Sequence, residues 1–209
     1  MPTAQTVKNY TKAAPNEQIA KVKKALEAKG FKVKVVDDLK QMHDEVVSII
    51  PEGSEVFTAA SETLRLSGLD KELNESGKYI SVRNKFMPLA GRPDKEVEMR
   101  RIGSGSDYAI GSVHALTEDG QAVLASASGS QIPNYAYGAS HFIWVVGSQK
   151  LVKDLDEALD RIETHTFPLE DARALKAYGA NSSINKILIY RKEPKGRGTI
   201  IIIKEPVGF

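Results

Sequence analysis

An α/β fold built on a largely parallel sheet is what this sequence predicts, and three observations predict it. Apolar segments of helical period and of strand period alternate along the first third of the chain. The run at residues 142–146 is apolar throughout, as in a central strand covered on both faces. The 209 residues, 41% of them hydrophobic, suffice for a full core, since a chain of this size buries about 70% of the surface it exposes when unfolded.

Residues 18–26 place Ile19, Val22 and Leu26 at helical spacing among lysines, with Gly30 where a helix stops. Residues 31–36 then alternate: Phe31, Val33 and Val35 form one face, Lys32 and Lys34 the other, the pattern of a strand buried on one side. Val46, Val47, Ile49 and Ile50 supply the stripe of a helix closed by Pro51 and Gly53. Residues 56–60 make a short strand, and residues 61–69 a helix as far as Gly68. This order favours right-handed βαβ crossovers. Further on, residues 108–116 and 121–126 read as strands around Thr117-Glu118-Asp119-Gly120, whose Asp-Gly is a hairpin signal, so an antiparallel element is expected in the sheet. Residues 151–162 and 170–177 read as helices, and residues 187–190 and 200–203 as closing strands. No repeat or linker divides the chain. A single domain over residues 1–209 is expected, with residues 1–30 a helical segment packed on it.

Composition removes several function classes. Cys is 0, which excludes disulfides, thiolate nucleophiles and cysteine-held clusters or zinc in this chain. A formal charge of +2 is too small to argue for wrapping nucleic acid. No run approaches the ~18 consecutive apolar residues of a membrane span, and no signal peptide is visible, so no membrane association and a cytoplasmic location are expected. His43, His114, His141 and His165 are too dispersed for metal-ligand spacing, and no cofactor motif is present, so neither metal nor cofactor is expected. A homodimer is the statistical expectation.

Open α/β sheets bind ligands at the carboxyl ends of their strands, so the segments after apolar runs are searched first. Ser61 and Thr63 follow the second strand with hydroxyls and backbone N–H groups suited to an anion; the alternative is that Ser61 only caps a helix. The stretch Gly103-Ser104-Gly105-Ser106-Asp107 would let backbone approach a ligand, with Asp107 as base or sugar-hydroxyl partner, or is a plain turn. Ser128, Gly129, Ser130 and Gln131 form a hydroxyl-rich loop that suits a phosphate or carboxylate and equally suits a flexible surface loop. Glu118, beside the hairpin turn, is a nucleophile or acid–base group if the turn faces a cleft, and otherwise a solvated charge. Lys150 and Arg173 read as cations at helix starts, unfavourable for the helix dipole unless an anion is near; a solvated surface position is the alternative for each.

In their order along the chain, these segments resemble the LUD-domain family, which includes the lactate-utilisation protein C group. The resemblance rests on Ser61-Glu62-Thr63-Leu64 with Gly68; Asp107 and Ile110 followed by Ala115, Thr117 and Gly120; Tyr137-Gly138; Gly147-Ser148-Gln149-Lys150-Leu151-Val152; Pro168 with Ala172-Arg173; and Gly196-Arg197-Gly198 with the ending Lys204-Glu205-Pro206-Val207-Gly208-Phe209. It implies a three-layer α/β/α fold with a mostly parallel mixed sheet, like ribose-5-phosphate isomerase and the CoA transferases. It also implies a protein connected with lactate oxidation, beside iron–sulfur oxidoreductase subunits, and brings Thr117 and Gly120 among the ligand-binding candidates. The chain departs from the family pattern with Ala60 where many relatives have Gly, with Asp119 in place of the Thr of lactate-type members, and with Gly129-Ser130-Gln131 where another branch has Gly-Asn-Arg.

Two readings follow. In the first, the chain is a non-redox subunit or accessory protein of lactate or related hydroxyacid metabolism that binds a small anionic metabolite. In the second it is an enzyme, either an acyl-CoA transferase with Glu118 as covalent nucleophile or a phosphosugar isomerase with Asp107 or Glu118 as base. An interaction module whose cleft has lost activity is the plainer alternative.

Overall fold

The computed structural model describes residues 8–193 and 196–209; the first seven residues of the expected N-terminal segment lie outside the described residues. The helix α1 (Asn16–Ala28) buries Ile19, Val22 and Leu26, the stripe read from the sequence. Then come β1 (Lys32–Val36), α2 (Leu39–Ile49), β2 (Glu55–Thr58), α3 (Glu62–Leu66), α4 (Leu69–Glu75), β3 (Ile80–Ser81), α5 (Val82–Phe86), α6 (Glu96–Ile102) and β4 (Ser106–Gly111). The second half adds β5 (Ala115–Thr117), β6 (Ala122–Ser126), β7 (Ala139–Gly147), β8 (Leu151–Val152), α7 (Leu155–Arg161), α8 (Phe167–Tyr178), β9 (Lys186–Tyr190) and β10 (Gly198–Ile203).

Six strands form one sheet in the order β1-β10-β7-β4-β2-β3, every neighbouring pair parallel. Both faces are buried, and the strand alternation shows it. Phe142, Trp144, Ile200 and Ile202 join α1 and Leu116 in one cluster, while Ile143, Val145, Ile201 and Ile203 join Met42 and Val46 of α2 and Leu64, Leu69 and Leu73 of α3 and α4 in the other. Period-two side chains on a sheet covered on both sides leave no polar face, which is why β7 and β10 read as unbroken apolar runs.

The antiparallel element forms a second sheet of its own, ordered β8-β5-β6-β9, with β5–β6 and β6–β9 antiparallel and β8–β5 parallel. It lies on the α1 side of the large sheet through Leu116, Ala122 and Leu124, and its other face packs Ala115, Val123 and Val152 on Ala158 and Ile162. The layering is therefore helices, parallel sheet, then α1 with a small sheet.

Three sequence expectations change accordingly. The strand expected over residues 108–116 is two strands, because the chain leaves the large sheet at Gly111, whose backbone is pressed against the Tyr135 hydroxyl with no room for a Cβ. The helix expected over residues 151–162 begins as β8, pairing Leu151 with Leu116, and turns helical only where Asp154 accepts from Glu157 N at 3.0 Å. The strand expected at residues 187–190 joins the small sheet.

Because all six strands of the large sheet run the same way, the ends of β2, β4, β7 and β10 open on one edge. Four segments meet there: residues 59–61, 111–114, 148–150 and 204–209. Among the described residues no helix is long and apolar enough to cross a membrane.

Candidate functional site

The strands β4 and β7 are neighbours in the large sheet, and both continue into the small one, as β5 and β8, which are again neighbours. The two crossings therefore run side by side. In the second, apolar strands on either side draw Ser148, Gln149 and Lys150 inside, at 0%, 5% and 2% exposure. Buried polar groups need partners. Ser148 Oγ donates to Lys204 O at 2.6 Å and accepts from Ala14 N at 3.1 Å. Gln149 binds the terminal segment, donating from Nε2 to the carbonyls of Val207 and Gly208, each at 2.9 Å, and accepting from Val207 N at 3.1 Å.

Lys150 is satisfied differently. Its Nζ has one hydrogen-bond partner among the described residues, Ser112 Oγ of the neighbouring crossing, at 3.1 Å, and no carboxylate pairs with it. Burial first, and then the positive charge of Arg161, bring its pKa down from 10.5 to about 7. Arg161 on α7 is itself wholly buried; its Nη1 donates to His114 O at 2.6 Å and to Thr166 Oγ1 at 2.8 Å, while its Nε and Nη2 have no partner. His114 accepts from Ala125 N through Nδ1 at 2.9 Å; burial of its imidazole, with the charges of Lys150 and Arg161, lowers its pKa to about 3 and keeps the ring neutral.

On the other side of Lys150 stand Thr63 of α3 and the terminal segment. Thr63 is buried, with Oγ1 3.5 Å from Val207 O. Gly208 adopts φ +68° and passes so close that a Cβ there would lie 2.5 Å from Thr63 Oγ1 and 3.4 Å from Lys150 Nζ. Glycine fits on both counts, the left-handed backbone and the missing side chain. A buried amine, two hydroxyls and a close-passing backbone thus share one edge of the sheet, on the cationic side of neutral.

Of the residues singled out from sequence, this edge gathers Thr63 and Lys150, with Ser61 close by in sequence as the cap of α3, its Oγ 3.5 Å from Leu64 N. Lys150 stands in the crossing between sheets and is buried, which removes the solvated alternative. Apart from Arg173, the other candidates lie elsewhere. Asp107 is exposed at the amino end of β4, where its Oδ2 accepts from Glu55 N at 2.8 Å. The hairpin turn lies on α1: Glu118 binds Lys21 Nζ at 2.5 Å and Gln18 Nε2 at 3.2 Å, and Gly120 has Ala25 backbone 2.7 Å from where its Cβ would be. Thr117 is buried, bonded to the Asp119 carboxylate and accepting from Gln121 N at 2.8 Å. The loop of Ser128, Gly129, Ser130 and Gln131 closes on itself, with Gly129 N donating to Ser126 Oγ at 2.9 Å and Gln131 Oε1 accepting from Ser126 Oγ at 3.0 Å. Arg173 is in the middle of α8, paired with Glu170 at 2.7 Å and 5.4 Å over the Tyr178 ring; the bond to Glu170 raises its pKa, and, after the hydrogen bond from Arg65, its charge helps lower that of Glu62, which stands between Ser61 and Thr63.

Sequence reading missed Ser112 and Arg161. For Ser112 the signal was a Gly-Ser pair directly after an apolar strand, the very position searched elsewhere in the chain. Arg161 carries no local signal, since an arginine in the last turn of a helix reads as solvated.

Comparison with known proteins gives the following. The model of the LUD domain matches residues 19–203. Among solved structures the chain is similar to a DUF162 family protein from Deinococcus radiodurans, with a TM-score of 0.56 and 10% identity over 92% of this chain and 99% of that one. A ribose 5-phosphate isomerase from Plasmodium falciparum is matched with a TM-score of 0.34 and 14% identity over 68% of this chain and 66% of that one. No curated protein matches the chain. At such identities the Deinococcus structure speaks for the fold.

Proposed function

This chain belongs to the LUD domain family, and on that premise we propose that it is a non-redox subunit or accessory protein of lactate or related hydroxyacid utilisation that binds a small anionic metabolite at the carboxyl edge of its parallel sheet. One observation carries the reading: Lys150 is buried with a serine as its hydrogen-bond partner and a second buried cation, Arg161, acting on it. A buried ammonium without a counter-charge is costly, and a carboxylate or phosphate brought to it supplies what the chain withholds. Thr63 and Ser112 are the hydroxyls that would share such a ligand. With no cysteine in the chain, electrons of a lactate oxidation would be carried by a partner, for which iron–sulfur oxidoreductase subunits are the expected class.

The enzyme readings built on Glu118 or Asp107 draw no support from their placement, since the first carboxylate is bound to α1 and the second to the Glu55 amide, away from Lys150.

The test is thermal stabilisation by a panel of small hydroxy and keto acids, lactate included, on the wild type and Lys150→Met. A ligand at about 100 times its Kd adds about 2.7 kcal/mol. We expect stabilisation at about pH 6 that shrinks by about pH 9, as Lys150 loses its proton, and none in the variant. Equal stabilisation of Lys150→Met, or no response to any acid, would overturn the reading.

A further inference from the structure

We infer that Ser112 and Lys150 form a nucleophile–base pair able to open small carboxylic esters and thioesters, with Ser112 Oγ as the attacking atom. The inference deepens the proposed function and rests on the same site, because the carboxylate released is of the class that the protonated lysine would bind.

The geometry has the three parts that an activated serine needs. The nucleophile and base are in hydrogen-bond contact: Nζ donates to Oγ at 3.1 Å and Oγ donates to Val113 O at 3.3 Å, so the hydroxyl proton has to turn from that carbonyl to the neutral amine before attack. Ser112 is partly exposed while Lys150 is buried, so of the two the serine is the one nearer solvent and the amine stands behind it. The base is held in place: Lys150 follows Gln149, which is tied to residues 207 and 208 by three hydrogen bonds, and Gly208 closes the space beyond Nζ. A lysine serves as a base only when it is neutral, and its surroundings favour that form. The charged or titratable groups acting on it and on the adjoining crossing are Arg161, His114 and His165; none is a carboxylate, and Arg161 disfavours the ammonium directly. Burial and that charge place the Lys150 pKa at about 7, so a substantial neutral fraction exists at neutral pH.

In the step inferred, Lys150 Nζ takes the Ser112 hydroxyl proton as Oγ attacks the acyl carbon, and the carbonyl π pair moves onto oxygen. Collapse of that tetrahedral species breaks the bond to the alcohol or thiol, which leaves with the proton from Nζ. Water then attacks the acyl-serine with the same base, releasing the carboxylic acid and restoring the serine.

The test uses the whole chain and a fluorophosphonate probe, followed by intact mass and peptide mapping. We expect one adduct, on Ser112, with a labelling rate that climbs with pH through a midpoint near 7 and falls at least about 100-fold in Lys150→Met. Ser112→Ala should take no label, while acid-induced thermal stabilisation of the wild type, which asks nothing of Oγ as a nucleophile, reads the binding site separately. If that variant does not fold, the mapped position and pH profile of the wild type decide. Absence of label on Ser112 in folded protein, or labelling unchanged in Lys150→Met, would overturn the inference.

Discussion

Gln149 holds Val207 by both ends of its amide: Oε1 accepts from Val207 N at 3.1 Å, and Nε2 donates to Val207 O at 2.9 Å. A side chain thus takes the place of a neighbouring strand for the segment that follows β10. Gly147 makes the approach possible, since a Cβ there would stand 2.6 Å from Val207 N. Replacing Gln149 by Leu leaves the Val207 amide unpaired and its carbonyl with only the long Thr63 Oγ1 contact, which costs about 1–3 kcal/mol. We expect a drop of that size in chemical denaturation and faster hydrogen exchange at Val207, with the amides of β7 still protected.

Gly147→Ala should release the same contact by steric means. The added methyl meets backbone atoms of Val207, which yield only if residues 207–209 move. Its expected cost is about 1–3 kcal/mol. Because Gly208 lies beside Lys150 Nζ, the variant should also expose Lys150 to water, and faster acetylation of Lys150 by an amine-reactive ester is the readout.

The buried amine gives stability a pH dependence whose sign is fixed. The pKa of Lys150 is about 7 in the folded chain against 10.5 for the free side chain, so between these values the unfolded chain binds the extra proton. Stability contributed through this residue therefore rises with pH over that window, by at most about 1.4 kcal/mol per pH unit, and below it the full cost of a buried ammonium is present. Lys150→Met should be more stable than wild type at about pH 6, with the advantage shrinking toward about pH 9. A pH-independent difference in melting temperature would show that the proton does not enter.

Much of the frame was readable from sequence because it depends on side-chain period. The run at residues 142–146 and the isoleucines at 200–203 became β7 and β10, the inner strands where no polar face survives. The segment between residues 70 and 105 was not readable: its helices are of seven residues or fewer, and α6 buries no side chain completely, so no stripe is long enough to show a period. The break at Gly111 was hidden because the alternation runs on through it, and only the Tyr135 ring, distant in sequence, explains the exit. The site was legible in part. Thr63 and Lys150 sit where strands end, but burial of a lysine depends on a second sheet whose existence the hairpin signal did not disclose.

The hairpin carboxylate should matter little to either binding or chemistry. Glu118 pairs with Lys21, whose side chain is 62% exposed, and exposed pairs of this kind contribute about 0.2–1 kcal/mol. Glu118→Gln should cost no more than that and leave acid-induced stabilisation unchanged. Acylation of Glu118 by an acyl-CoA, detected as a hydroxylamine-labile mass increase, would instead revive the transferase reading.

Arg161 should set the Lys150 proton affinity from a distance, and a substitution there separates its charge from burial. Burial is the larger cause of the lowered Lys150 pKa and the Arg161 charge the second. Arg161→Met removes the charge, keeps the volume, and abolishes a buried guanidinium whose Nε and Nη2 have no partner, while freeing His114 O and Thr166 Oγ1. Replacing a poorly compensated buried charge by an apolar side chain is often neutral for stability, so the variant should fold. Without the repulsion the ammonium is easier to keep, and the Lys150 midpoint should move upward by on the order of one pH unit, still below that of a free lysine because burial remains. NMR titration of the Lys150 side chain reads this directly. The labelling profile of Ser112 should move with it, the rate at neutral pH falling as the neutral amine becomes scarcer. A midpoint unchanged in Arg161→Met would mean that burial alone lowers the lysine, and a downward shift would mean that the guanidinium had been stabilising the ammonium through a bound anion between them.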